Sequence, residues 1–213
     1  MAKNREIEVK IRIANEAELT ARFKGMRARR IRTVFEENVL FDTRDEAFRK
    51  RKAILRLRRE IPVGRLGRLR PSRRTRGKSG EGILTFKGLL KRNNAGAEKY
   101  KEREEIEFRI RNAQRFEGVL RQIGMRAWFC YEKYRSEYRS ERIPGLKLDL
   151  DRTPIGSFVE LEGPKRQIGQ AAKALGYSRR DYITASYLEL YAAECARRGV
   201  KFGNMTFRTQ KNC

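Results

Sequence analysis

Arg5-Glu6-Ile7-Glu8-Val9-Lys10-Ile11-Arg12-Ile13 alternates strictly between charged and apolar residues. Successive side chains of an extended strand point to opposite faces. Ile7, Val9, Ile11 and Ile13 therefore share one face, and Glu6, Glu8, Lys10 and Arg12 share the other. A half-buried strand with its charges in water reads the same way. The spacing Glu-x-Glu-x-Lys adds something further, because it sets two carboxylates and an ammonium side by side. Carboxylate oxygens suit a hard divalent cation, and an ammonium suits phosphate as a point charge.

The same grammar recurs down the chain. A predicted strand at 53–60 puts Arg56 and Arg58 opposite Leu55 and Leu57, two guanidinium forks suited to phosphate oxygens. At 83–88, Thr85 and Lys87 share a face. At 98–110, Arg103, Glu105, Glu107 and Arg109 oppose Ile106, Phe108 and Ile110. At 125–140, Phe129, Tyr131, Lys133 and Arg135 are in phase. Asp149 and Asp151 are in phase at 146–152, as are Glu160 and Glu162 at 158–163. Residues 29–42, with Ile31, Val34, Phe35, Val39, Leu40 and Phe41, read as a further strand. The spacing and caps predict helices at 15–25, 112–124, 165–175 and 184–198, with Asn15 and Asn112 as N-caps. A charged connection with a short helical turn is expected at 43–52.

Composition bounds the function. Lys and Arg number 52 against 27 Asp and Glu in 213 residues, a formal charge of +25, so the expected partner is polyanionic. There is no histidine, which excludes histidine bases, histidine metal ligands and a Ser-His-Asp triad. Cys130, Cys195 and Cys213 lie far apart without zinc spacing, which predicts reduced thiols. No apolar run would span a bilayer and no signal-peptide core appears, so a cytoplasmic protein without membrane contact is expected. Residues 1–198 read as one domain, either a monomer or a homodimer. It carries a Gly- and Arg-rich loop insertion at 61–82 and ends in a polar, loosely held tail at 199–213. The loop offers contact to polyphosphate or RNA.

The predicted helices have apolar stripes that need a partner, and the apolar strand faces are available. If helices cover the outside, the charged faces must point inward, and the strands close into a barrel around a polar tunnel. Enclosed ions are costly unless acids and bases interleave or a ligand completes the pairing. Both signs are present in each layer, and a metal triphosphate fits the mixture.

Glu6-Ile7-Glu8-Val9-Lys10 resembles the Glu-x-Glu-x-Lys signature of the CYTH superfamily, the triphosphate tunnel metalloenzymes. The resemblance continues in order through Leu55-Arg56-Leu57-Arg58, Thr85-Phe86-Lys87-Gly88, Arg103-Glu104-Glu105-Ile106-Glu107, Glu132-Lys133-Tyr134-Arg135, Leu148-Asp149 and Phe158-Val159-Glu160-Leu161-Glu162. It implies an α+β fold: an eight-stranded antiparallel β-barrel tunnel with a charged lumen, covered outside by several helices. It implies Mg²⁺ or Mn²⁺ held by Glu6, Glu8, Asp149, Glu160 and Glu162. The phosphates would bind Lys10, Arg56, Arg58, Lys87, Lys133 and Arg135, and Glu6, Glu8, Lys10 and Lys87 would carry the reaction. Arg103, Glu105, Glu107 and Asp151 would support them from behind. The implied substrate is ATP, thiamine triphosphate or inorganic triphosphate. Hydrolysis is the first expectation, and class IV adenylate cyclase chemistry, giving cyclic AMP and pyrophosphate, is the second. A non-catalytic polyphosphate or RNA binder is the rival from another class. Such a binder has no need of carboxylates in phase on several strands.

Overall fold

Alternation at period two lets each strand serve two environments, and the chain uses it eight times. The structure, a computed structural model, describes residues 5–63, 80–89 and 100–207, so most of the basic loop lies outside them. Its strands are β1 (Arg5–Ile13), β2 (Ala28–Asp42), β3 (Ile54–Pro62), β4 (Gly82–Leu89), β5 (Lys101–Ile110), β6 (Arg126–Ser140), β7 (Lys147–Thr153) and β8 (Gly156–Glu162). They close in the order β1-β5-β4-β3-β2-β6-β7-β8, and every neighbouring pair is antiparallel. Closure leaves the barrel with little free sheet edge.

The helices are α1 (Glu16–Gly25), the short α2 (Ala47–Lys50), α3 (Ala113–Gln122), α4 (Lys165–Ala174) and α5 (Tyr187–Arg198). Asn15 Oδ1 accepts the N–H groups of Ala17 and Glu18, and Asn112 Oδ1 accepts that of Arg115, so both predicted caps are in place. Val9 and Ile11 of β1, Leu148 and Leu150 of β7, and Val159 and Leu161 of β8 pack outward against Leu19 and Phe23 of α1. Ile168, Ala171 and Ala172 of α4 complete this cluster. On another flank, Leu57 and Phe41 pack against Ala113 and Leu120 of α3. The oily core therefore lies between the barrel wall and its helices, as the sequence predicts.

Gly199 ends α5 at φ 64°, a left-handed conformation that costs glycine no Cβ clash. The chain then returns to β6. Along β6, β7 pairs only from Tyr134 to Arg139, which leaves residues 130–132 without a neighbour on that side. The tail takes that edge. Met205 N–H donates to the Cys130 carbonyl at 2.9 Å, and Glu132 N–H donates to the Met205 carbonyl at 2.9 Å. Met205 is fully buried, a docking that the polar composition of the tail does not announce. Cys195 is a buried free thiol.

Candidate active site

The six predicted cations, Lys10, Arg56, Arg58, Lys87, Lys133 and Arg135, all line one cavity of about 160 Å³ inside the barrel. Glu6, Glu8, Glu105, Glu107, Glu160 and Glu162 line it with them. These side chains come from six strands, and period two aims each of them inward. Asp149 and Asp151 face the lumen but lie behind Arg135, outside the cavity wall. Arg103 pairs with Glu6 across the β1–β5 ladder and does not reach the cavity.

Acids and bases interleave. Lys10 Nζ lies between Glu8 Oε1 at 3.0 Å and Glu160 Oε1 at 3.1 Å. Lys87 Nζ donates to Glu6 Oε2 at 2.6 Å and stands 3.1 Å from Glu105 Oε1. Arg56 donates to the Tyr131 hydroxyl and to Thr85 Oγ1, each at 3.2 Å, and Thr85 donates onward to Glu107 at 2.8 Å. Arg135 donates to both oxygens of Asp151 at 2.8 and 2.7 Å, and to Glu160. Its Nη1 is 3.0 Å from Asp149 Oδ2. Asp151 also accepts from Lys133 at 2.8 Å and from the Tyr187 hydroxyl at 2.8 Å.

The titration directions follow from this pairing. Burial would raise the Glu8 and Glu160 carboxyls. Lys10 opposes it at both, with Lys101 and Lys87 at Glu8 and Arg135 and Lys133 at Glu160, and both acids end well below the usual range. Lys10 moves the other way: burial lowers it, but Glu160 and Glu8 raise it above its ordinary value. Burial wins at Asp149, helped by Asp151 and Glu160 against Arg135, and carries that carboxyl to about 6. Glu105 is pushed to about 7 by burial, with Glu6 adding to it against the pull of Lys87. Lys101 falls to about 8 through burial and the repulsion of Lys10.

Four further residues stand at or beside the cavity that the sequence reading did not single out as site residues. Glu36 of β2 is fully buried beside Lys133, Arg135 and Arg58. Lys101 donates to Glu8 Oε1 at 2.7 Å. Lys147 and Tyr187 line the cavity. Lys101 was findable, since it is in phase with Arg103 and Glu105. Tyr187 comes from the first turn of α5, and no strand periodicity marks it.

The cavity is not charged throughout. Leu40, Ile54, Tyr131 and Leu188 form an apolar part of its wall and belong to a cluster with Tyr187 and Tyr191 of α5. A helix thus meets one part of the lumen, while the rest is lined by ions.

The carboxylates supply hard oxygen donors of the kind Mg²⁺ or Mn²⁺ prefers. Asp149 Oδ1 is buried without a hydrogen-bond partner, and an ammonium already bridges Glu8 and Glu160. The donor set therefore fits a cation. Among the described residues, no three acids are gathered closely enough to hold an ion as they stand.

The sequence matches the CYTH domain over residues 4–187. The chain belongs to the CYTH domain family. A Methanocaldococcus jannaschii protein named "putative adenylate cyclase" is 26% identical over 194 residues, covering 87% of this chain and 97% of its own. A Vibrio parahaemolyticus structure described in the same terms superposes with a TM-score of 0.69 at 17% identity, over 88% of this chain and 97% of that one. A Hippeastrum structure, HpAC1, described as having a dominant triphosphatase activity, superposes with a TM-score of 0.57 at 19% identity, over 92% and 97%. At these identities the two structures speak for the CYTH fold alone. Among the described residues, no helix is long and apolar enough to cross a membrane.

Proposed function

We propose that this CYTH protein binds a triphosphate in its lumen and hydrolyses it with a divalent cation. The observation that carries this reading is the convergence of Lys10, Arg56, Arg58, Lys87, Lys133 and Arg135 on one cavity inside the barrel. Six cations behind low-dielectric walls suit a short, dense chain of negative charge. Lys10 and Lys87 would meet the reacting phosphoryl group, and the four others would hold the rest of the chain. Glu6, Glu8, Asp149, Glu160 and Glu162 would hold Mg²⁺ or Mn²⁺. When bound, the metal neutralises phosphate oxygens and makes water a better nucleophile. Glu105 and Glu107 touch Lys87, Arg56 and Arg58 and would keep those cations aimed at the cavity.

A second reading, cyclisation of ATP, is favoured by the apolar wall. Hydrolysis needs only water and the phosphate chain. Cyclisation also needs the organic group held so that its hydroxyl meets the α-phosphorus. Leu40, Ile54, Tyr131 and Leu188 are where such a group would rest. The name of the Methanocaldococcus relative supports the same reading.

Incubation with ATP, thiamine triphosphate or inorganic triphosphate and Mg²⁺ or Mn²⁺ separates the two. Orthophosphate release is expected; cyclic AMP with pyrophosphate assigns the cyclase reaction instead. Turnover of none of these substrates with either metal overturns both. Glu160→Gln and Glu8→Gln are expected to lose metal dependence and rate together, and Arg56→Ala to weaken triphosphate binding.

A further inference from the structure

Glu36 sits inside the barrel wall with no access to solvent. β2 places it opposite Lys133 on β6. Its carboxylate is 3.5 Å from Lys133 Nζ, 3.6 Å from Arg135 Nε and 3.7 Å from Arg58 Nη1. Asn38 Nδ2 donates to it over a long 3.4 Å, and Oε1 has no hydrogen-bond partner. Lys133, Arg135 and Arg58 line the cavity, whereas Glu36 does not. A fixed negative charge thus stands behind three of the cations a phosphate chain would meet.

Asp151 offers a contrast. It accepts 2.7–2.8 Å hydrogen bonds from Lys133 and Arg135, which fix where those groups point. Glu36 contacts the same two cations at longer range. Its pull is Coulombic and weakly directional, so it offsets their charge without tying up their donors. Incoming phosphates must compete with it, and departing ones are helped by it.

We propose that Glu36 is a resident counter-anion of the phosphate-binding cluster, a positioning residue that loosens the hold of Arg58, Lys133 and Arg135 and speeds product departure. The inference rests on the triphosphate reading above. Glu36→Gln keeps the shape and removes the charge, and Asp151 still anchors Lys133 and Arg135.

The experiment measures binding of inorganic triphosphate by calorimetry, together with kcat and KM for it. Glu36→Gln is expected to bind about tenfold more tightly, with kcat and KM falling together and inhibition by product phosphate strengthened. Glu36→Asp keeps the charge but draws it back, and its affinity should lie between wild type and Glu36→Gln. Glu194→Gln removes the same unit of charge from the outer surface of α5, where Glu194 pairs with Arg197 and Arg198, and should leave binding unchanged. A purely structural Glu36 would move the melting temperature without the joint fall in kcat and KM. If Glu36→Gln fails to fold, Glu36→Asp decides, and affinity no tighter than wild type overturns the proposal. A folded Glu36→Gln that binds no more tightly overturns it while leaving the triphosphate reading intact. No triphosphate binding by the wild type overturns both.

Discussion

At their most buried positions, the two faces of the barrel wall are nearly equally dry and chemically opposite. On the outer face, Val9, Val159 and Leu161 are 0% exposed; on the inner face, Lys10 is 2%, Glu8 6% and Glu160 8% exposed. Burial alone therefore does not say which side is the core. Outside, burial is satisfied by contact with α1 and α4, each large side chain contributing about 1.5–3 kcal/mol. Inside, it is tolerated only because every ion has a counter-ion within reach, and removing one partner leaves a charge with nowhere to go. The outer face is a fold and the inner face a prepared mixture of charge, and substitutions should separate the two.

The sharpest break is Asp151→Ala. Asp151 is shared by Lys133, Arg135 and Tyr187, so its loss leaves Lys133 with the longer contact to Glu36, takes two hydrogen bonds from Arg135 and strips a buried hydroxyl of its acceptor. Urea unfolding should show a loss of about 3–5 kcal/mol, and triphosphate turnover should vanish in whatever remains folded. A loss below about 1 kcal/mol would mean that the inner ions are solvated and the contrast is false. Leu161→Ala tests the other face. A cavity under α1 and α4 should cost about 2–4 kcal/mol, while kcat in the folded fraction stays near wild type. A selective loss of kcat would show that the two faces are coupled.

The two faces were not equally legible in the sequence. On β1, β3, β5, β7 and β8 charged residues recur two apart, and the inward set, Glu8, Arg56, Glu105, Asp149 and Glu160 among them, is plain. β2 breaks the rule. Val34, Phe35, Val39, Leu40 and Phe41 make both of its faces look apolar, because its upper half is packed on both sides. Glu36 and Asn38 are hidden in that run, although their spacing of two was available to read. Periodicity could not mark Tyr187 and Met205 for another reason. Each is placed by a long-range contact, with Asp151 and with the unpaired edge of β6, that local periodicity does not encode. The sequence likewise offered carboxylates as metal ligands, while the structure pairs them with lysines and arginines that a metal would have to displace.

A third kind of buried carboxylate refines the comparison. Asp42 faces neither the lumen nor the oil, and Arg49 Nε donates to its Oδ2 at 3.1 Å. Its Oδ1 accepts the N–H groups of Thr43 at 2.8 Å and Phe48 at 2.9 Å, and its Oδ2 accepts those of Arg49 at 3.1 Å. Burial would raise this carboxyl, but the N–H donors of Phe48 and Arg49 outweigh it and the net shift is downward. A depressed folded pKa adds stability that is complete above the unfolded value of about 3.9 and is lost as pH falls through the folded one. Asp42→Asn should cost about 1 kcal/mol at pH 7. Its stability curve should converge on that of the wild type below about pH 4. A constant gap at all pH values would remove the carboxylate from the account.

The smallest effect belongs to an ion pair that has the chemistry of the lumen without its burial. Arg32 donates to Glu60 Oε2 at 2.6 Å and to Glu137, but its side chain is 45% exposed. Water already solvates the guanidinium, and ordering a long side chain offsets much of the attraction. Glu60 keeps a second cation, since Arg58 Nε lies 3.2 Å away. Arg32→Ala should therefore cost less than about 1 kcal/mol, and raised salt should shrink that cost further. If it instead matched Asp151→Ala in urea, exposure would not be what separates a rim pair from a lumen pair. The dryness of the inner face would then no longer explain why its ions must be paired.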